Sequence, residues 1–155
     1  MKKSVYLDTT IPSYHFDERE SLKYPCDITR KWWDEESHYF EIFTSLETIA
    51  ELNRGDYPRK DEILNFSRTI KQLQPVKEIK EIALYYIENK LMPNDIQGDA
   101  IHLAYASYYK IDYLLTWNCN HLANANKKQH IKIVNARLDL FTPELITPLE
   151  LFTER

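Results

Sequence analysis

Short apolar, strand-prone runs alternate along the chain with helix-periodic stretches, a pattern that predicts an α/β fold with a central, mainly parallel sheet flanked by helices. Two further observations bear on this. Only two glycines, Gly55 and Gly98, occur among 155 residues, so no Gly-rich linker divides the chain. The length falls within the roughly 100–200 residues usual for a domain, which predicts one domain spanning residues 1–155. A hydrophobic fraction of 43% is sufficient for a substantial core.

Ser4-Val5-Tyr6-Leu7 is apolar and β-prone and ends at Asp8-Thr9-Thr10, which reads as a buried strand feeding a polar loop. Pro12 suits a first helical turn. The stretch from Ser13 to Tyr24 is polar and without clear period; Ile28, Trp32 and Trp33 then give helical spacing up to Glu36. Tyr39 to Thr44 is the second strand, and Ser45 is placed to cap a helix carrying Leu46, Ile49, Ala50 and Leu52, which Gly55 stops. Pro58 opens a helix with Ile63, Leu64, Phe66 and Ile70, and Pro75 separates it from one with Ile79, Ile82, Ala83, Tyr86 and Ile87. Pro93 and Asp95 mark a fresh start, with Asp95 as N-cap. From Ile96 to Tyr109 a wide stripe of Ala100, Ile101, Leu103, Ala104 and Tyr108 predicts a well-buried helix. Tyr113 to Thr116 is the third strand, Asn120 to Ala125 a short helix and Ile131 to Val134 a fourth strand.

The totals exclude several classes. A net charge of -4 and a pI near 5.7 argue against charge-driven coating of nucleic acid, which needs a positive surface to replace counterions. They leave room for an acidic metal pocket ringed by local Lys and Arg. Cys26 and Cys119 are far apart and neither belongs to a Cys-x-x-Cys pair, so two free thiols are expected, without a zinc module or disulfide framework. No apolar run reaches the roughly 18 residues of a membrane span. The opening Met1-Lys2-Lys3 meets Asp8 before a signal-peptide core could form, which predicts a cytoplasmic chain.

Chemistry concentrates in single acidic side chains placed beside apolar runs. In open parallel sheets ligands bind beyond the carboxyl ends of strands, where Asp8 and Asn118 both fall. Asp99, one turn into its helix, and Glu51, in the second turn of its own, are placed to lean over the same edge. Several carboxylates gathered together are tolerable if a hard cation such as Mg²⁺ or Mn²⁺ neutralises them. In phosphodiester hydrolysis such a cation activates water, positions the phosphate and stabilises the leaving oxygen, so no Ser or Cys nucleophile is needed.

Each residue also has a plainer reading. Asp8 can be a turn residue after a strand. Glu51 can be an exposed helix charge, with Glu47 four residues earlier as a like-charged neighbour that suits the helix dipole. Asp99 lies among small and apolar residues, where a charge demands a reason, and is the stronger ligand candidate. His102 reads as a packed, hydrogen-bonded core histidine rather than a general base. Cys119 and His121 lack a second ligand pair for zinc. Trp117 suits core or rim packing better than stacking on a base.

Taken in order, Val5-Tyr6-Leu7-Asp8-Thr9, Glu51-Leu52-Asn53-Arg54-Gly55, Asp99-Ala100-Ile101-His102-Leu103-Ala104-Tyr105-Ala106 and Asp112-Tyr113-Leu114-Leu115-Thr116-Trp117-Asn118 resemble the PIN-domain family of metal-dependent ribonucleases, especially VapC-like toxins. The pieces span nearly the whole chain. The resemblance implies a single PIN-like domain that cuts RNA with Mg²⁺ or Mn²⁺. It implies that Asp8, Glu51 and Asp99 hold the metal directly or through water, and that one of them helps activate the attacking water. At the fourth position the family often carries Asp; here it is Asn118, which removes one negative charge and favours a one-metal site or substrate-assisted metal recruitment. Asn120 and Glu47 are reserve candidates for the polar shell, and Asp112, preceding its strand, is structural. An antitoxin partner covering the acidic groove and a homodimer are further expectations of the resemblance. Two competing functions stay open: a PIN-like RNA- or protein-binding module with reduced or lost catalysis, motivated by Asn118, and a metal-dependent phosphatase acting on small esters.

Overall fold

A computed structural model describes residues 1–91, 98–118 and 125–153. Among them five strands form one parallel sheet: β1 (Lys3–Leu7), β2 (Phe40–Thr44), β3 (Lys71–Gln72), β4 (Tyr113–Leu115) and β5 (Glu144–Ile146). Their order is β3-β2-β1-β4-β5. The helices are α1 (Thr10–Phe16), α2 (Lys23–Glu36), α3 (Leu46–Leu52), α4 (Lys60–Arg68), α5 (Lys77–Glu88), α6 (Asp99–Tyr108) and α7 (Ala125–Arg137). The expected α/β architecture, a parallel sheet flanked by helices, is the one observed.

Strand alternation divides the interior. Tyr6, Leu114 and Leu145 point into a core with Ile79, Tyr86, Ile101 and Ile131 from α5, α6 and α7. Val5, Leu7, Leu115 and Ile146 point the other way, into a core with Ile11, Trp32 and Leu151. Both sheet faces are therefore buried, which accounts for the continuous apolar runs of β1 and β4. The indole N–H of Trp32 donates to the Leu151 carbonyl at 3.0 Å, and Glu36 Oε1 accepts from the Thr153 amide at 2.9 Å, tying the last described residues onto α2.

Two elements fall outside the sequence expectation, and one contradicts it. The Ile131–Val134 segment is part of α7 and not a strand. Its alternating Ile-Lys-Ile-Val lettering mimics a strand, but the buried positions are Ile131, Val134 and Asn135, at the i, i+3, i+4 spacing of a helix, while Ile133 is 45% exposed. The fourth and fifth sheet positions are instead taken by β3 and β5, of two and three residues, too short to show a period of their own. The expected Asp95 cap, the start of its helix at Ile96 and nearly all of the expected Asn120–Ala125 helix lie outside the described residues. Ser45 is the N-cap residue of α3 as expected, yet its hydroxyl makes no cap hydrogen bond; it pairs with Tyr6 instead. No helix among the described residues is long and apolar enough to cross a membrane.

The reassigned segment can be tested by denaturation. Ile133→Pro in the middle of α7 should lower stability by about 3 kcal/mol, through a lost hydrogen bond and a ring clash. Ile133→Glu should stay within about 0.5 kcal/mol of the parent, because that side chain faces solvent. Small and equal effects of both would contradict the helix.

Candidate functional site

The chain leaves β1 toward β2 on one side while β4 and β5 lie on the other, so the strand order reverses between β1 and β4. Crevices at such a switch point open at the carboxyl ends of the strands. Leu7 and Leu115 are register partners, so the residues that follow them, Asp8 and Thr116, emerge side by side. Asp8 is only 1% exposed.

That burial is supported by a specific set of donors. Asp8 Oδ1 accepts from the Thr10 amide at 3.0 Å and the Thr10 hydroxyl at 2.5 Å, and Oδ2 accepts from the Thr116 hydroxyl at 2.5 Å. A hydroxyl has one proton, and both threonines direct it at Asp8. Their oxygens then accept from the next loop: Thr10 Oγ1 from the Trp117 amide and Thr116 Oγ1 from the Asn118 amide, each at 2.9 Å. The Asn118 side-chain amide in turn donates to Asp99 Oδ2 at 2.6 Å. Asp8, Thr116, Asn118 and Asp99 thus form one continuous hydrogen-bonded series from three elements of the fold.

Glu51 belongs to a neighbouring group. Its Oε1 lies 2.8 Å from His102 Nε2, off the axis of an aligned hydrogen bond, and its side chain is 17% exposed. His102 is buried, and its Nδ1 is 2.7 Å from the Tyr6 hydroxyl. The structure therefore brings Asp99 and Asn118 into direct contact and sets Asp8 one threonine away, while Glu51 meets His102, whose charge acts on Asp8. Among the described residues no three His, Cys, Asp or Glu side chains converge as a ready metal cage.

Electrostatics couple these groups. Burial pushes Asp8 up to about 6; the His102 charge and the threonine hydroxyls oppose that rise, and the nearby Asp99 charge adds to it. Burial depresses His102, but the Glu51 contact and the charges of Glu51, Asp8 and Asp99 outweigh it and raise the imidazole above its usual value. A buried carboxylate with a perturbed ionisation marks Asp8 as a candidate functional group. Beside it, an open depression of about 430 Å³ is lined by Thr9, Ser13, Glu51, Leu52, Arg54, Tyr57 and Gly98.

Other expected residues fall elsewhere. Glu47 lies in the first turn of α3, where its charge acts on Tyr105. Asp112 accepts from the Ser4 amide at 2.9 Å and the Ser4 hydroxyl at 3.2 Å, clamping β1 to β4 at their amino ends, in keeping with a structural part. Trp117 packs on Tyr14 at 6.1 Å between ring centroids and donates its indole N–H to Thr29 Oγ1 at 2.7 Å. Asn120, Cys119 and His121 lie outside the described residues. His102 is the packed, hydrogen-bonded core histidine expected, while sequence reasoning missed the parts played by Thr10 and Tyr6 and the His102 contact with Glu51. A threonine two residues after Asp8 is a visible Asx-turn signal, whereas the Tyr6 and His102 contacts connect residues 96 apart and leave none.

No family model matches the sequence, and no curated protein does. Among solved structures the fold is similar to that in "Crystal Structure of FitAcB from Neisseria gonorrhoeae", with a TM-score of 0.55 and 15% sequence identity, covering 95% of this chain and 99% of that one. At that identity the likeness is one of fold.

The cost of the Asp8 charge is measurable. The free carboxyl value is 3.8 and the folded one about 6. Stability from this group is therefore fully present below about pH 4 and lost as pH rises toward about 6. With chelator present, Asp8→Asn should be about 1–3 kcal/mol more stable than the parent near pH 7.5 and nearly equal to it near pH 4. Thermal unfolding showing no gain near pH 7.5 would contradict the burial cost.

Proposed function

We propose that the chain is a metal-dependent endoribonuclease of the PIN-domain kind, a hydrolase of RNA phosphodiester bonds, with Asp8, Glu51, Asp99 and Asn118 as its catalytic site. The observation that carries this reading is the hydrogen-bonded series Asp8, Thr116, Asn118, Asp99 beyond the ends of β1 and β4, with Glu51 beside it against His102, residues that follow the order of the family that the sequence resembles. The parallel-sheet fold likeness supports it at the level of architecture.

The donor set suits a hard divalent cation. Every candidate ligand offers oxygen, and Asp8 carries a buried charge that a cation would relieve. Glu51 lines the depression, and its Oε1 faces His102 Nε2 at 2.8 Å. Asp8 and Asp99 would hold Mg²⁺ or Mn²⁺, with Glu51 joining directly or through water. Such an ion supplies water activation, phosphate positioning and stabilisation of the leaving oxygen.

The chain's own groups do the rest. Thr10 and Thr116 fix both Asp8 oxygens, so the carboxylate is oriented before any ligand arrives. Asn118 orients Asp99 without adding charge. Arg54 and Tyr57 line the depression beside Glu51, where a planar guanidinium matches phosphate geometry and a phenol ring can meet a base. As part of the same reading we assign a cytoplasmic single-domain toxin, held in check by an antitoxin protein and assembled as a homodimer.

A second reading has a specific observation in its favour. Asn118 pairs with Asp99 where the family often has a fourth carboxylate, so the site as it stands is charge-poor. This suits a PIN-like module that binds RNA or a protein with reduced or lost catalysis.

One assay separates these readings. Purified protein should cleave RNA with Mn²⁺ or Mg²⁺, stop on addition of EDTA, and leave a generic phosphatase substrate intact. Asp8→Asn and Asp99→Asn should each lower the rate at least about 100-fold, a loss near 3 kcal/mol of transition-state stabilisation. Cleavage indifferent to both substitutions would defeat the assignment. RNA binding without turnover would favour the second reading. In the nuclease reading Asn118→Asp should raise Mn²⁺ affinity, checked by calorimetry; an unchanged affinity would remove residue 118 from the metal site.

A further inference from the structure

We propose that Tyr6 and His102 are positioning residues that hold the Glu51 carboxylate at the rim of the crevice, through a buried relay running Ser45, Tyr6, His102, Glu51. The inference builds on the nuclease reading and names how one of its carboxylates is placed. The relay joins four elements of the fold: Tyr6 comes from β1, Ser45 is the cap of α3, His102 comes from α6 and Glu51 from α3.

The proton arithmetic favours one arrangement. A tyrosine phenol keeps its proton near neutral pH, so Tyr6 has one proton to give. Its oxygen lies 2.7 Å from Ser45 Oγ and 2.7 Å from His102 Nδ1. When the serine hydroxyl donates to the phenol, the phenol proton goes to Nδ1, and an imidazole that accepts at Nδ1 carries its own proton on Nε2. That nitrogen is the one 2.8 Å from Glu51 Oε1. A doubly protonated ring also presents N–H there. The Nδ1–H tautomer alone would set a lone pair against the carboxylate 2.8 Å away, and Glu51 disfavours it.

The geometry also says which partner orients the ring. The contact with Glu51 lies off the hydrogen-bond axis, whereas that with Tyr6 satisfies it. Ring orientation is therefore set by Tyr6, and Glu51 is placed by the ring. A histidine that merely filled the core would need no carboxylate partner, least of all one that lines the open depression with Thr9, Ser13 and Arg54. Metal-site residues are commonly oriented by such outer partners, whose loss costs about 10–100-fold in affinity or activity.

The test compares the parent, Tyr6→Phe, Glu51→Gln and the double variant, with unfolding curves confirming that each is folded. Histidine-ring NMR is the first measurement. The His102 Nε2–H resonance should be present in the parent, shift in Glu51→Gln, and lose its single-tautomer signature in Tyr6→Phe. A ring signal indifferent to Glu51→Gln overturns the proposal whether or not RNA is cleaved. In RNA cleavage with Mn²⁺, Tyr6→Phe should lower kcat about 10-fold with KM unchanged. Added to Glu51→Gln it should cost no more than about twofold further, since residues acting through one group are not additive. A full further tenfold loss also overturns it. If the parent cleaves no RNA but the ring signals respond as expected, the relay stands and the nuclease reading falls.

Discussion

A carboxylate that is 1% exposed must be supplied with donors, and the junction of β1 with β4 is where this chain supplies them. An unpaired buried charge would cost several kcal/mol, so Asp8 is tolerable only while the Thr10 and Thr116 hydroxyls and the Thr10 amide point at it. Those donors in turn hold the loop after β4, because each hydroxyl oxygen accepts one of its amides. The register of two central strands, the path of two loops and the ionisation of one side chain are therefore a single coupled arrangement. Shifting β4 by one residue would turn its side chains to the opposite face and separate Thr116 from Asp8.

The same arrangement explains how acidic groups can gather beneath a depression in a chain of net charge -4. Their charges are distributed over different partners. Hydroxyl and amide donors serve Asp8, a neutral side-chain amide serves Asp99, and an imidazole serves Glu51. The residual strain shows in Asp8, whose carboxyl is held near 6 by burial despite every nearby donor.

The surrounding fold is conventional for a parallel sheet. Helices cover both faces, the interior divides cleanly by strand alternation, and the edge that carries the candidate site is the one where polar loops follow apolar strands. At 15% identity to a solved neighbour, almost none of that architecture is carried by shared residues. It is carried by pattern: apolar runs of the right length, prolines and polar caps at element starts, and side chains of suitable size inside.

Much of this pattern is legible in the sequence. The strands expected at Ser4–Leu7, Tyr39–Thr44 and Tyr113–Thr116, each observed to within a residue at either end, the helices around Trp32, Leu64 and Tyr86, and the placing of Asp8 beyond a strand follow from local periodicity, which acts over a few residues. Local lettering fails where tertiary packing decides. Ile131–Val134 is helical because only helical spacing turns Ile131 and Val134 together into the core. The edge strands β3 and β5 exist because an edge backbone finds a partner, in two or three residues with no period to read. The sequence by itself determined an α/β chain with Asp8, Glu51, Asp99 and Asn118 as separate polar points. Only the tertiary structure decided that Asp8 answers to Thr116 as well as to its neighbour Thr10, Asp99 to Asn118 and Glu51 to His102, because these contacts join residues remote along the chain and are set by strand order and register.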